Sequence, residues 1–188
     1  MIVLASKSPR RREILAQAGL AFEIRVADVE ERLRPGEAAD AYVSRLSREK
    51  AEAVDAGAEE FVLAADTIVV VDSLVLEKPA SEEDAIRMLA LLSARSHYVL
   101  TGVCVRRGAA RWSAVERTEV VFSPLSPDEI LDYAHSGEPM DKAGAYAIQG
   151  RASRFVEGIR GCYFNVMGLP LSRVYRLLKD AGYNFAAG

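Results

Sequence analysis

The chain begins with Ile2-Val-Leu-Ala-Ser-Lys-Ser-Pro-Arg-Arg-Arg-Glu-Ile-Leu15, which predicts a strand, a short turn and a helix in direct succession. The apolar residues before the first serine are typical of a buried strand. Pro9 stands where a first helical residue is expected, Ser8 takes the position of an N-cap, and Gly19 is a common helix end. A strand that leads through a turn into a helix is a building unit of α/β folds, so this stretch indicates the fold class.

The charge at the start of this helix is reversed from the usual pattern. Arg10, Arg11 and Arg12 crowd the end where the macrodipole is already positive, which costs roughly a few tenths of a kcal/mol each. Elsewhere the chain starts helices in the usual way, with acids in Ser81-Glu-Glu-Asp84 and a capping box in Ser126-Pro-Asp-Glu129. Backbone N–H groups, serine hydroxyls and guanidinium groups converging on one helix start suit a bound phosphate. A solvated basic helix end is the alternative.

Periodicity along the rest of the chain predicts an α/β fold with a mixed sheet. Further strands are predicted at residues 22–26, 61–71 and 74–76 and in a hairpin of 96–106 with 110–122. Helices are predicted at residues 38–55, 82–93, 127–135 and 169–181, whereas residues 138–168 are too irregular for strand assignments. The alternation followed by a hairpin indicates a mixed central sheet flanked by helices, bent into two lobes around a cleft.

Composition restricts the class of protein. With 188 residues, 50% of them hydrophobic and 27% charged, the chain fits one globular domain, residues 1–188. A net charge of −3 argues against broad nucleic-acid or membrane-surface binding. Cys104 and Cys162 are the only cysteines and lie far apart, which favours a reducing compartment. Because we find neither a signal peptide nor an apolar run of ~20 residues, we expect a cytoplasmic protein without nucleic-acid or membrane partners.

Asp66 is the carboxylate whose predicted burial costs the most free energy. It interrupts the otherwise apolar run 61–71, in which Thr67 is the only other polar residue. A carboxylate in such a strand needs a cation or hydrogen-bond donors. Either Asp66 stands at the carboxyl end of its strand, where open α/β sheets carry their active sites, or it forms an ion pair in the core. We favour the strand end.

Other charged residues could join Asp66. Lys78 leaves the next strand just before Pro79, so it could face Asp66 if residues 72–73 form a turn. Taken alone, Lys50 and Glu31 are typical of a solvated helix end and a solvated loop. The histidines show no zinc spacing, and the glycine-rich segment near the C-terminus matches neither a Walker A nor a dinucleotide-binding motif. Carboxylates beside a phosphate pocket therefore indicate metal-assisted phosphoryl chemistry.

A series of segments in chain order carries a resemblance to a known family. They are Leu4-Ala-Ser-Lys-Ser-Pro-Arg-Arg-Arg-Glu-Ile-Leu15, Arg48-Glu-Lys-Ala51, Ala65-Asp-Thr67, Glu77-Lys-Pro79, Gly137-Glu-Pro-Met-Asp-Lys-Ala-Gly-Ala-Tyr-Ala-Ile-Gln-Gly150, Phe155-Val-Glu-Gly-Ile159 and Asn165-Val-Met-Gly-Leu-Pro-Leu171. Together they resemble the Maf family of nucleoside triphosphate pyrophosphatases over residues 4–171.

The resemblance implies hydrolysis of a nucleoside triphosphate between its α and β phosphates, giving a monophosphate and pyrophosphate with a divalent metal (Mg, Mn or Co). It implies an elongated ITPase-like fold and a homodimer. Asp66 would accept the proton of the attacking water, with Glu31 as its partner carboxylate near the metal. The groups that would hold the triphosphate are Ser6, Ser8, Arg10, Arg11, Lys50 and Lys78.

The resemblance also implies a base preference. The family positions concerned fall on Arg10, Thr67 and Gln149, and Ile148-Gln149-Gly150 resembles the branch that acts on dTTP and UTP. A sister branch acting on 7-methyl-GTP carries a glutamate-bearing motif instead. A glutamine amide offers both donor and acceptor, which matches a pyrimidine carbonyl and N3–H. A non-catalytic nucleotide sensor and an enzyme acting on a sugar nucleotide are the competing hypotheses.

Overall fold

The computed structural model describes residues 1–26 and 28–185 as a mixed α/β structure. The strands are β1 Ile2–Leu4, β2 Phe22–Ile24, β3 Phe61–Val71, β4 Leu74–Leu76, β5 Ser96–Arg107, β6 Ala110–Phe122 and β7 Val156–Arg160. The α-helices are α1 Pro9–Gln17, α2 Ala39–Ala53, α3 Glu82–Leu92, α4 Pro127–His135, α5 Tyr163–Val166 and α6 Leu171–Asp180. Within the described residues, none of these helices is both long and apolar enough to cross a bilayer.

The strands form one mixed sheet in the order β2-β1-β3-β5-β6-β7, with β4 paired to β3. Strand β1 runs parallel to both β2 and β3, whereas β3–β4 and β6–β7 are antiparallel. The predicted turn between β3 and β4 is present, because Asp72 and Ser73 both have positive φ angles, of 47° and 68°. Two consecutive residues with positive φ suit the right-handed twist of a two-residue hairpin. The predicted mixed sheet flanked by helices is confirmed.

The described chain divides into two compact units, each assembled from separate stretches. The first contains Met1–Asp66, Thr101–Glu116 and Gly168–Gly188, and the second contains Thr67–Leu100 and Arg117–Met167. Three of the four unit boundaries fall within β3, β5 and β6, and the fourth falls between α5 and α6. That residues 1–188 act as a single domain stays a prediction.

In the first unit, helix α2 packs on one face of the sheet. Val3, Val62, Ala64 and Cys104 of the strands cluster with Ala51 and Val54 at the end of the helix. Side chains two residues apart on a strand share a face, so Asp66 lies on the face of β3 that Val62 and Ala64 present to α2. Apolar packing of this helix therefore brings its polar residues toward a buried carboxylate.

Gly102 of β5 sets how closely α2 approaches the sheet. A Cβ atom added there would overlap the carbonyl group of Val43 and lie 2.9 Å from the backbone nitrogen of Ser44. These are backbone atoms of α2, which cannot rotate away as a side chain can. Nothing in the sequence pattern singled out this glycine, because the contact joins residues distant in the chain.

The second unit has an aromatic core. Phe122 lies edge-on to Tyr146 at 4.8 Å between ring centroids, and Tyr133 lies edge-on to Phe155 at 5.5 Å. His97 is fully buried beside them, with its Nε2 2.8 Å from the hydroxyl of Tyr146. Burial lowers the pKa of His97 to about 4, so its ring is neutral at pH 7.

The irregular segment before the last helix contains three short 3-10 helices, Glu138–Asp141, Ala143–Ala145 and Arg151–Phe155, followed by β7. Strand β7 was not predicted from the sequence. Its five residues include Gly158 and charged side chains, which hide the alternation expected of a strand.

Candidate active site

The candidate site forms beyond the carboxyl end of the parallel pair β1–β3. The last paired residues are Leu4 and Leu63, followed by a hydrogen bond from the Ala5 N–H to the Leu63 carbonyl (2.8 Å). Ser6 lies two residues beyond the end of β1. Asp66 follows on β3, in the part of the strand that β1 no longer accompanies. Side chains at the carboxyl ends of neighbouring parallel strands meet at one edge, as in other α/β sites.

Asp66 itself does not end its strand, so this detail of the prediction was wrong. Strand β3 continues to Val71 because its last residues pair with β4. What ends near Asp66 is the parallel ladder with β1. The prediction failed because the apolar run that contains Asp66 does not show where pairing with β1 stops and pairing with β4 begins.

Asp66 is 6% exposed and forms an ion pair with a lysine of α2. The Nζ of Lys50 lies 2.6 Å from Asp66 Oδ1 and also 2.6 Å from Glu31 Oε1. The Lys50 side chain is only 14% exposed, so Lys50 is not the solvated lysine that its position alone suggested. Glu31 likewise takes part in the cluster, although its side chain remains 45% exposed. The structure therefore joins two carboxylates through one ammonium group.

The turn before α1 is held by Ser6 and Arg11. The buried Ser6 Oγ accepts hydrogen bonds from the Ser8 N–H (3.2 Å) and from Arg11 Nη1 (3.1 Å). Arg11 Nε donates to the carbonyl of Gly168 at 2.8 Å. Ser8 occupies the N-cap position, but its side chain caps no described N–H group, unlike Ser81 and Ser126. The Ser8 hydroxyl thus does not cap this helix start, and a helix N-terminus is a position that favours an anion.

Arg11 and Asp66 belong to the same electrostatic environment. Burial lowers the pKa of Arg11 from its usual value, and the neighbouring charge of Arg10 lowers it further. The carboxylates of Asp66 and Glu31 oppose this change and raise the pKa of Arg11. The expected proximity of the arginine-rich helix start to Asp66 is therefore present, and a guanidinium remains charged there.

The other predicted site residues belong to the second unit. Lys78 and Gln149 are exposed, and Thr67 is half-buried. As consecutive strand residues, Asp66 and Thr67 project to opposite faces of β3. The roles of these three residues remain predictions. By contrast, the first unit brings together Ser6, Arg11, Glu31, Lys50 and Asp66.

Glu31 and Asp66 are the carboxylates whose chemistry suits a divalent cation. Each places an oxygen 2.6 Å from the same Lys50 Nζ, so the two oxygens are separated by no more than twice that distance. Mg²⁺ is commonly held by one or two carboxylates together with substrate phosphate oxygens. The part of the chain that is described contains no cluster of three or more His, Cys, Asp or Glu residues suited to a metal. The donor chemistry thus fits a cation shared with a phosphate substrate.

Three further basic residues have acidic partners. Lys7 is exposed and its Nζ lies 3.1 Å from Asp28 Oδ1. Arg151 and Arg154 both donate to Asp132 Oδ2, at 3.0 and 2.9 Å. These arginines therefore anchor a 3-10 helix to α4.

Comparison with known proteins agrees first with the fold class. A HAM1 protein from Coxiella burnetii has a similar structure, with a TM-score of 0.50 and 15% sequence identity over 97% of this chain and 98% of that chain. At this identity the similarity concerns the fold alone.

Sequence relatives are much closer. The family model described as Maf-like protein matches residues 1–181. A dTTP/UTP pyrophosphatase of Anaeromyxobacter sp. (strain Fw109-5) is 56% identical, covering 97% of this chain and 90% of the relative. A dTTP/UTP pyrophosphatase of Koribacter versatilis (strain Ellin345) is 52% identical, covering 96% and 94%. This chain belongs to the Maf family, as the resemblance indicated.

Proposed function

We propose that this chain is a nucleoside triphosphate pyrophosphatase that hydrolyses dTTP and UTP to the monophosphate and pyrophosphate. The observation that carries the proposal is the buried Asp66–Lys50 pair next to an arginine-rich helix start whose serine does not cap it. The high identity to relatives named dTTP/UTP pyrophosphatase supports the substrate assignment.

The first requirement of the reaction is neutralisation of the triphosphate. Three or four negative charges repel an attacking oxygen, so positive groups must surround them. The start of α1, the hydroxyls of Ser6 and Ser8 and the guanidinium groups of Arg10 and Arg11 would bind phosphate oxygens. Lys50 and Lys78 would add two ammonium groups to this set.

Asp66 would act as the general base. A water oxygen forms a new bond to phosphorus while the P–O–P bridge between the α and β phosphates breaks, and the proton of the water passes to the Asp66 carboxylate. Lys50 fixes the orientation of that carboxylate through its 2.6 Å contact. The same ammonium holds Glu31, so one side chain positions both acidic groups.

Glu31 and Asp66 would also hold the divalent cation, Mg, Mn or Co. When bound, such a cation neutralises phosphate charge and polarises the phosphorus–oxygen bonds. Gln149, Thr67 and Arg10 would set the base preference, with the Gln149 amide matching the donor and acceptor pattern of a pyrimidine. We further propose that the protein is cytoplasmic and forms a homodimer. Light scattering of the purified protein would test the dimer.

The decisive assay follows both products across dNTPs, NTPs, 7-methyl-GTP and a sugar nucleotide, with and without EDTA. Equimolar monophosphate and pyrophosphate from dTTP and UTP, lost with EDTA and restored by added Mg, is the expected result. Binding of dTTP without turnover would favour a nucleotide sensor. Turnover confined to the sugar nucleotide would overturn the proposed substrate class.

A further inference from the structure

Gln149 is carried by a tight turn with a defined geometry. The Gly150 N–H donates to the Ala147 carbonyl at 3.0 Å, so residues 147–150 form a four-residue turn with Gln149 in its third position. We call these residues the Gln149 turn. The Gln149 side chain is exposed, so packing around it does not fix its position.

Both ends of the Gln149 turn are attached to one pair of side chains. At its start, the Ala147 N–H donates to the Tyr133 hydroxyl at 3.1 Å. Just after its end, the Arg151 N–H donates to both carboxylate oxygens of Glu138, at 3.1 and 3.2 Å. The Tyr133 hydroxyl in turn donates to Glu138 Oε1 at 2.8 Å. Tyr133 and Glu138 therefore anchor both ends of the Gln149 turn, and we call this phenol–carboxylate pair the clasp.

The pair is itself rigidly held. Tyr133 is fully buried, and burial together with Glu138 raises the pKa of its hydroxyl, which stays protonated and able to donate. The backbone carbonyl of Glu138 accepts a hydrogen bond from Lys142 Nζ at 2.8 Å. Gly150 lies against the carboxylate so closely that an added Cβ would be 2.7 Å from Glu138 Oε2. Only a glycine allows this approach.

We propose that Tyr133 and Glu138 are positioning residues that hold the Gln149 turn and thereby set the discrimination between pyrimidine and other bases. The inference rests on the proposed function, because it assigns base recognition to Gln149. An amide that must present a donor and an acceptor in register needs its backbone held to within roughly 0.5 Å. The exposed Gln149 can receive that restraint only through the turn that carries it.

The test compares two buried tyrosines. Tyr133→Phe removes the hydroxyl that contacts the Gln149 turn, whereas Tyr146→Phe removes one that contacts His97. We expect both variants to lower the melting temperature, but only Tyr133→Phe to raise the KM for dTTP, about five- to tenfold, and to reduce the preference for dTTP over dATP and dGTP. A similar loss of preference in both variants, or in neither, would overturn the proposal.

Coupling to Gln149 separates positioning from general destabilisation. In a double-mutant cycle, Tyr133→Phe should add little to the KM effect of Gln149→Ala, because the positioned amide is already gone. Multiplicative effects would count against the assignment. If Tyr133→Phe fails to fold, Glu138→Gln replaces it, since the amide retains the size of the carboxylate but loses acceptor capacity.

A second readout does not depend on turnover. Hydrogen exchange at the Ala147 and Arg151 amides should quicken in Tyr133→Phe and remain unchanged in Tyr146→Phe. Unchanged protection in both variants would refute the clasp even if the enzyme is active. If the parent protein releases no pyrophosphate from dTTP, the proposed function fails, while exchange still decides whether the pair holds the turn.

Discussion

Gly102→Ala should damage the active site without touching any catalytic side chain. The added methyl group would overlap the Val43 carbonyl of α2, and the neighbouring Ser44 nitrogen lies only 2.9 Å from the new atom. Strand β5 lies in the centre of the sheet, so α2 is the element that must move away. Lys50 follows Val43 by two helical turns on the same face and will move with the helix.

The size of the effect follows from that displacement. Overpacking of a core contact costs about 1–3 kcal/mol. For a chain of this length each kcal/mol lowers the melting temperature by roughly 2–4 °C, so a decrease of about 2–12 °C is expected. A shift of about 1 Å in a positioning group can cost ~100-fold in rate. Since Lys50 positions both Asp66 and Glu31, kcat/KM for dTTP should fall by that order.

The assay pairs thermal unfolding with steady-state kinetics. Gly158→Ala is the matched control, because its added Cβ would meet no atom within 4 Å. We expect this control to keep its melting temperature and kcat/KM. If Gly102→Ala kept the parent kinetics at 25 °C, α2 would not need its close approach to β5, and the argument that this contact places Lys50 would be refuted.

Two further predictions concern stability. Arg106 donates through Nε to the Ala51 carbonyl (2.9 Å) and through Nη2 to the Val54 carbonyl (2.8 Å) at the end of α2. Arg106→Met should therefore lower the free energy of unfolding by about 2 kcal/mol, measured by urea unfolding. The exposed Arg87→Met is the control and should keep the parent's urea midpoint; an unchanged midpoint in Arg106→Met would contradict the prediction. His97, with its pKa lowered to about 4, binds fewer protons when folded than when unfolded between about pH 4 and pH 6.5. The free energy of unfolding should therefore decrease as the pH falls through this window, by up to ~3 kcal/mol from this group. His97→Gln should remove that part of the pH dependence, whereas His135→Gln at the surface should leave it; equal pH profiles for parent and His97→Gln would contradict the prediction.

Local signals in the sequence predicted the fold well. The helix start at Ser126 shows the capping box, and Ser81 caps α3, because both signals depend on residues three positions apart. The β3–β4 turn and the long hairpin were also predictable, since apolar runs bounded by turn residues are local patterns. The predicted Maf membership is confirmed by the family model and the relatives.

The site was predictable only as a set of residues. The unusual charge at Arg10 and Arg11 and the buried position of Asp66 could be read directly, because each breaks a local rule. The pairing of Lys50 with both Asp66 and Glu31 could not, since it depends on how α2 packs across the sheet. Nor could the contact of Arg11 with the carbonyl of Gly168, which joins residues 157 positions apart.

The clasp around the Gln149 turn is a similar case. Tyr133 lies on a capped helix and has the spacing of an ordinary core residue. Its hydrogen bond to Glu138 depends on the irregular segment that follows, in which apolar residues show no regular period. Gly150 offered the one available hint, because a glycine can mark a close approach of another group.

The most direct test of the central claim measures turnover and dTTP binding together in Asp66→Asn. The asparagine carbonyl can still accept a hydrogen bond from Lys50, so the cluster keeps its shape while the general base is removed. We expect kcat to fall by about 10²–10⁴-fold or more, while calorimetry shows dTTP binding close to that of the parent. Parent-like turnover in Asp66→Asn would show that this carboxylate does not take the proton of the attacking water.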